Sequence, residues 1–154
     1  MDTEFRTVTR SNLTDVLGLT VLDEQEDFIE SMEECIQDAQ EDERYVPLGL
    51  YCDGEIVGFA MYGQFKGRVW FDRFLIDQKY QGQGLGKHFF RKMLDYLGAR
   101  FDSKYIYLSV YEENQAAIQL YESFGFEFTD EMDVNGEMIM RKNREKMSKP
   151  MLAH

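Results

Sequence analysis

Three glycines in five positions, Gly82, Gly84 and Gly86, separate an apolar run at residues 69–76 from a segment of helical spacing that starts at Leu85. A chain that runs apolar like a half-buried strand, turns on glycine and then shows 3.6-residue periodicity must pass directly from sheet to helix. The turn Gln81-Gly82-Gln83-Gly84-Leu85-Gly86 lets successive N–H groups point outward at the positive end of that helix, a geometry suited to a phosphate or pyrophosphate. Two phosphate loops fail in detail. A Walker loop needs Ser or Thr after Gly-Lys, and Gly86-Lys87 is followed by His88. A dinucleotide loop begun at Gly82 would need glycine at 87, which is lysine. An anion cradle and a plain packing turn both remain consistent with these glycines.

Periodicity places the other elements. Residues 5–9 form a first strand closed by Ser11 or Asn12 as a helix cap, and Phe28, Ile29, Met32, Ile36 and Ala39 recur at helical spacing. Two strands at 46–52 and 56–62 flank Asp53-Gly54, a strong hairpin signal, and 69–76 follows as a third. A helix carrying Leu85, Phe89, Phe90, Met93, Leu94 and Leu97 stops near Gly98, and 105–110 is another strand. Asn114 caps a helix bearing Ala117, Ile118, Tyr121 and Phe124, with Gly125 just past its end. Strands at 126–134 and 137–141 flank Asn135-Gly136, a second hairpin. Hairpins combined with strand–helix–strand crossovers predict an α/β fold: a mixed, mostly antiparallel sheet of six to seven strands with helices on both faces. Residues 1–142 are expected to form a single domain, and 143–154, which lose periodicity, a loosely ordered tail.

Charge is unevenly spread. The formal net charge is −12, and residues 23–43 carry eleven carboxylates with no Lys or Arg. Residues 79–104 lean the other way, with six bases against Asp95 and Asp102. So acidic a protein has no electrostatic footprint for nucleic acid; a cationic partner suits the acidic segment and an anionic one the basic segment. No stretch approaches the ~20 consecutive apolar residues of a membrane span. Two cysteines, Cys35 and Cys52, make no disulfide framework, and Met1-Asp2-Thr3-Glu4 lacks the basic, apolar character of a signal peptide, so a reducing, cytoplasmic setting is expected. His88 and His154 are too few for a zinc site, no calcium-loop spacing occurs, and no nucleophile elbow is present, so no metal is expected.

Two motifs together resemble a known family. Gln81, Gly84 and Gly86, following Phe74-Leu75-Ile76-Asp77, resemble the acetyl-CoA motif of the GCN5-related N-acetyltransferases. Asn114, Ala117, Leu120, Tyr121, Gly125 and Phe126 match the family's second motif in the right order, and the element order agrees over about residues 5–142. Within that superfamily, Gly49-Leu50-Tyr51, Val57-Gly58-Phe59-Ala60-Met61-Tyr62-Gly63 and Gly67-Arg68-Val69-Trp70-Phe71-Asp72-Arg73-Phe74 resemble the bacterial spermine/spermidine acetyltransferases encoded beside multidrug efflux pumps. A departure lies at residues 64–66, shorter than the corresponding connection in those relatives.

The resemblance implies the family's fold and direct attack of an amine on the thioester of acetyl-CoA. It implies that the strand at Phe74, Leu75 and Ile76 splays from its neighbour, freeing an amide for the thioester carbonyl; an oxyanion donor of that kind is worth about 2.7–4 kcal/mol. Gln81, Gly82, Gln83, Gly84, Leu85, Gly86 and Lys87 would cradle the pyrophosphate, and Asn114 would both cap its helix and touch the pantetheine arm. Tyr121 is implied as the general acid, uphill by roughly 1.5 pKa units, or about 2 kcal/mol, for an ordinary phenol facing a thiol. An alkylamine of pKa ~10.4 is only ~1 in 2,500 neutral at pH 7, a deficit of about 4.6 kcal/mol, so a base or a water relay must lie in reach. Asp72 shares the parity of Phe74 and is the candidate that orients the amine or such a water. Glu24, Asp27 and Glu30, at the start of the acidic helix, are candidates to bind a multiply charged acceptor, though each also suits a solvated face. The expected function is acetyl transfer to a primary amine of spermine or spermidine; protein N-termini or lysines are the competing acceptors, and a non-catalytic CoA-binding sensor is the alternative of another class. The resemblance also leaves room for a homodimer.

Overall fold

Seven strands assemble into one sheet in the order β1-β2-β3-β4-β5-β7-β6. They are β1 (Thr3–Thr7), β2 (Tyr45–Cys52), β3 (Glu55–Phe65), β4 (Arg68–Ile76), β5 (Tyr105–Val110), β6 (Glu127–Met132) and β7 (Met138–Asn143). The computed structural model describes residues 2–21 and 31–144. Every neighbouring pair of strands is antiparallel except β4 and β5. Helices α1 (Leu13–Leu17) and α2 (Met32–Glu41) cover one face, where Val16, Cys35 and Ile36 meet Phe59, Met61 and Leu75. Helices α3 (Leu85–Arg100) and α4 (Gln115–Ser123) cover the other, where Phe89, Phe90, Leu94 and Ile118 meet Val57, Val69 and Phe71. The mixed, mostly antiparallel sheet between two helical layers is the predicted architecture.

Local chemistry sets most boundaries. Asp53 and Gly54 both hold positive φ (52° and 85°), as a two-residue hairpin turn demands. Ser31 starts α2 through a reciprocal capping box with Glu34. Gly125 stands past α4 at φ 94°.

Strand ends shift by up to three residues, β1 spanning Thr3–Thr7 rather than 5–9, and four further details differ from expectation. Gly98 does not stop α3, which runs to Arg100; the Arg144 guanidinium closes this end of the helix, donating to the carbonyls of Gly98 and Phe101 and to that of Ser103 at 2.7 Å. The same anchoring, with β7 running on to Asn143, carries ordered structure two residues past position 142, while 145–154 lie outside the described residues. The Asn12 side chain does not cap α1; it accepts from Thr9 N at 2.8 Å and donates to Thr7 O at 3.1 Å, closing the end of β1 instead. The β6–β7 connection is a three-residue loop rather than a two-residue one, because Asp133 and Glu137 still pair (Asp133 N to Glu137 O, 2.9 Å) and Gly136 alone takes the left-handed conformation.

Candidate active site

The parallel β4–β5 ladder holds only at Val69↔Ile106 and Trp70↔Tyr107. Beyond it the strands part, and a cavity of about 530 Å³ opens with residues 74–76 of β4 on one wall and Ser109, Val110 and Tyr111 on the other. Asn114, Ala117, Leu120 and Tyr121 reach it from α4, and Gln81, Gly82 and Gly86 from the glycine turn.

That turn is shaped by conformation, not by crowding. Gly82 and Gly84 hold φ of +80° and +81°, and a Cβ on either would meet nothing within 4 Å. Gly84 is the N-cap of α3 and supplies no side-chain cap, so the first N–H groups of a 16-residue helix are left for an external acceptor. Gln81 Nε2 donates to Ile76 O at 2.9 Å, tying the turn to the end of β4. Beneath it Asp77, only 2% exposed, accepts from Thr20 N at 3.0 Å and Lys79 N at 2.9 Å and so joins the loop after α1 to the strand. Gln83, Gly84 and Lys87 are exposed at the helix start, and Leu85 is buried in the core; none of these four lines the cavity wall.

Tyr121 sits in an aromatic stack, its ring 5.3 Å from that of Phe90 at 24° and 6.2 Å from that of Phe126. Burial, and then the negative charge of Glu137, push its phenol up to about 12. Asn114 accepts from Ala117 N at 3.4 Å and thereby caps α4.

Asp72 lines the cavity, but not through the parity with Phe74 that its sequence spacing predicts. Met61 pairs with Arg73 and Tyr62 with Phe71, so Asp72 is an extra residue in β4, a bulge. The bulge reverses the alternation: Val69 and Phe71 face the α3 layer before it, and Phe74 and Ile76 after it. Asp72 therefore does not share the face of Phe74. It lies 3.6 Å from Arg73, which reaches Asp38 of α2 at 3.1 Å, and burial followed by the Asp72 charge raises the Tyr45 phenol. Glu24, Asp27 and Glu30 lie outside the described residues.

Sequence reasoning passed over Tyr45, Arg73, Ser109, Tyr111, Asp133, Asn135 and Glu137, all of which line the cavity. Glu137 carried one signal, its place directly after Asn135-Gly136, but that turn reads as a mere connector until β7 is set beside β5. Among the described residues no three His, Cys, Asp or Glu side chains gather as metal ligands.

The profile of the acetyltransferase (GNAT) family matches residues 13–126, most of the chain. The chain belongs to this family. Over 150 residues it is 45% identical to a spermine/spermidine N(1)-acetyltransferase of Bacillus subtilis, covering 92% of this chain and 99% of the relative. A ribosomal protein bS18-alanine N-acetyltransferase of Escherichia coli is 34% identical over 84 residues, 54% of this chain and 56% of the relative. Among solved structures, spermidine N-acetyltransferase of Vibrio cholerae, crystallised with CoA and spermine, superposes with a TM-score of 0.73 at 20% identity, covering 94% and 96% of the two chains. That likeness shows the shared fold of this GNAT protein.

Proposed function

We propose that the protein transfers an acetyl group from acetyl-CoA to a primary amine of a polyamine such as spermidine or spermine. One observation carries this reading: a single cavity joins an uncapped, glycine-turned helix start to carboxylates, Asp72 and Glu137, with the half-buried Tyr121 beside them. The first is built for an anion and the second for a cation, which is the charge distribution of a CoA thioester meeting a polyamine. The near full-length kinship with the Bacillus subtilis enzyme supports the same acceptor class.

The residues fit the thioester in three respects. Gly82 and Gly84 leave open space where a Cβ would stand, so phosphate oxygens can approach the main chain of α3, with Lys87 adding a positive charge at the exposed rim. Residues 74–76 of β4, unpaired with β5, present backbone to the thioester arm and its carbonyl, and Asn114 and Ala117 border the same space. Tyr121, protonated at every working pH, donates a hydrogen bond to the departing sulfur. Asp72 draws in a cationic nitrogen of the acceptor; as a direct base a carboxylate is about 6 pKa units too weak for an alkylamine, so the proton of the reacting amine leaves through water. The activity is proposed for the cytoplasm, where thiols such as Cys35 and Cys52 stay reduced.

Thiol release from acetyl-CoA, followed with a chromogenic thiol reagent, tests this. Spermidine should be turned over with a kcat/KM at least tenfold above that of peptides with a free N-terminus or lysine. Peptides winning by that margin would move the assignment to a protein acetyltransferase. Tight CoA binding without release in the presence of any amine would make the chain a sensor.

A further inference from the structure

The β6–β7 loop is built to hold one carboxylate in place. Asp133 Oδ1 accepts from the N–H groups of Asn135 and Glu137, both at 2.9 Å, and Gly136 turns the chain at φ +83°. The β5–β7 ladder then sets Ser109 opposite Ile139 and Val110 opposite Met138, so that Ser109 Oγ donates to Glu137 Oε2 at 3.2 Å. Glu137 is thus fixed by the loop's own hydrogen bonds and by a residue of β5, and it lines the same cavity as Tyr121. The charge it places there is felt by that phenol. Nothing in the handling of the thioester calls for it. An anion beside the site of a departing thiolate is unfavourable unless a cation comes between them.

We propose that Glu137, held by Ser109, is the carboxylate that receives the reacting ammonium group of the acceptor, while Asp72 on the β4 wall takes a second charge of the same molecule. The proposal rests on the polyamine reading above and names the residue that places its nitrogen. A linear polyamine presents cationic nitrogens in a row, and two carboxylates on separate strands grip two of them. The ammonium held by Glu137 gives one proton to water, its nitrogen forms the bond to the acyl carbon and then loses a second proton. The carbon–sulfur bond breaks, and sulfur leaves as the thiolate, hydrogen-bonded by Tyr121 and protonated from solvent.

The test uses the full chain with spermidine and acetyl-CoA, comparing wild type, Glu137→Gln and Glu137→Asp, with melting temperatures to monitor folding. Glu137→Gln keeps the shape and removes the charge. It should raise the KM for spermidine roughly ten- to a hundredfold, the worth of a hydrogen bond to a charged group, and leave the KM for acetyl-CoA within twofold. Glu137→Asp, which keeps the charge, should regain at least a third of the lost affinity. An unchanged spermidine KM in Glu137→Gln, equal rises in both KM values, or Glu137→Asp as impaired as Glu137→Gln would each overturn the assignment of Glu137. Wild-type protein that releases no thiol with spermidine would instead overturn the polyamine reading itself, so the two failures are distinguishable.

Discussion

Replacing Tyr121 by Phe removes one oxygen from the cavity and leaves the stack on Phe90 (5.3 Å, 24°) intact. The phenol is pushed up to about 12, against ~8.5 for a thiol, so complete proton transfer to the leaving thiolate is uphill by ~3.5 units, or about 4.8 kcal/mol. In the proposed reaction Tyr121 would therefore act by hydrogen bonding to the developing charge and not by delivering its proton. A hydrogen bond to a charged group is worth ~1.5–3 kcal/mol, which corresponds to a fall in kcat of roughly 10- to 150-fold. Steady-state thiol release at saturating spermidine measures it, with the KM for acetyl-CoA staying within about threefold. The alkaline limb of the wild-type kcat profile should show no tyrosine ionisation near pH 10. An unchanged kcat in Tyr121→Phe would remove the phenol from the reaction. A fall beyond 10⁴-fold would mean the proton is fully transferred, and that the reasoning from the raised phenol is wrong.

Three further outcomes are expected. Gly84→Ala puts a side chain at φ +81°, a conformation costing ~1–2 kcal/mol, and a methyl group into the cradle; the melting temperature should fall by roughly 2–8 °C and the KM for acetyl-CoA rise several-fold, and an unchanged KM would refute the cradle. Asp77→Ala orphans two main-chain N–H groups under the turn and should lower unfolding free energy in urea by about 2–4 kcal/mol; a loss under ~1 kcal/mol would show that Asp77 does not hold the loop. Because Tyr121 stays protonated in the folded state while an unfolded tyrosine ionises near pH 10, the folded state binds more protons above that pH and stability must fall. Its contribution is intact below pH ~10 and lost between 10 and 12, up to about 2.7 kcal/mol, with Tyr62 and Tyr45, also raised by burial, acting in the same direction. Urea titrations at pH 9, 10 and 11 should show a steeper decline for wild type than for Tyr121→Phe; parallel declines would contradict the raised phenol.

What could be read without coordinates follows the range of the forces involved. Asp53-Gly54 announces its hairpin because two left-handed residues in a row are tolerated by few pairs of side chains, and β5 (Tyr105–Val110) was legible to the residue as a short apolar run. Gly98 misled, because a glycine reads as a helix stop unless one knows that its carbonyl is held by the distant Arg144. The parity of Asp72 misled in the same way: a bulge is decided by how β4 fits β3, and no pattern within β4 betrays it. The motif residues of the glycine turn and of α4 were identifiable one by one, whereas Ser109 and Glu137, 28 positions apart, meet only through the β5–β7 register.

The linear order of side chains thus determined the alternation of strands and helices, the turn conformations and the glycine-turned helix start, since each depends on a few neighbouring residues and on the sterics of their own backbone. The folded sheet alone decided where β4 leaves β5, which face Asp72 takes and which carboxylate stands beside Tyr121. Those depend on strand pairing and register, contacts between segments far apart in the chain whose energy exists only once both are in place.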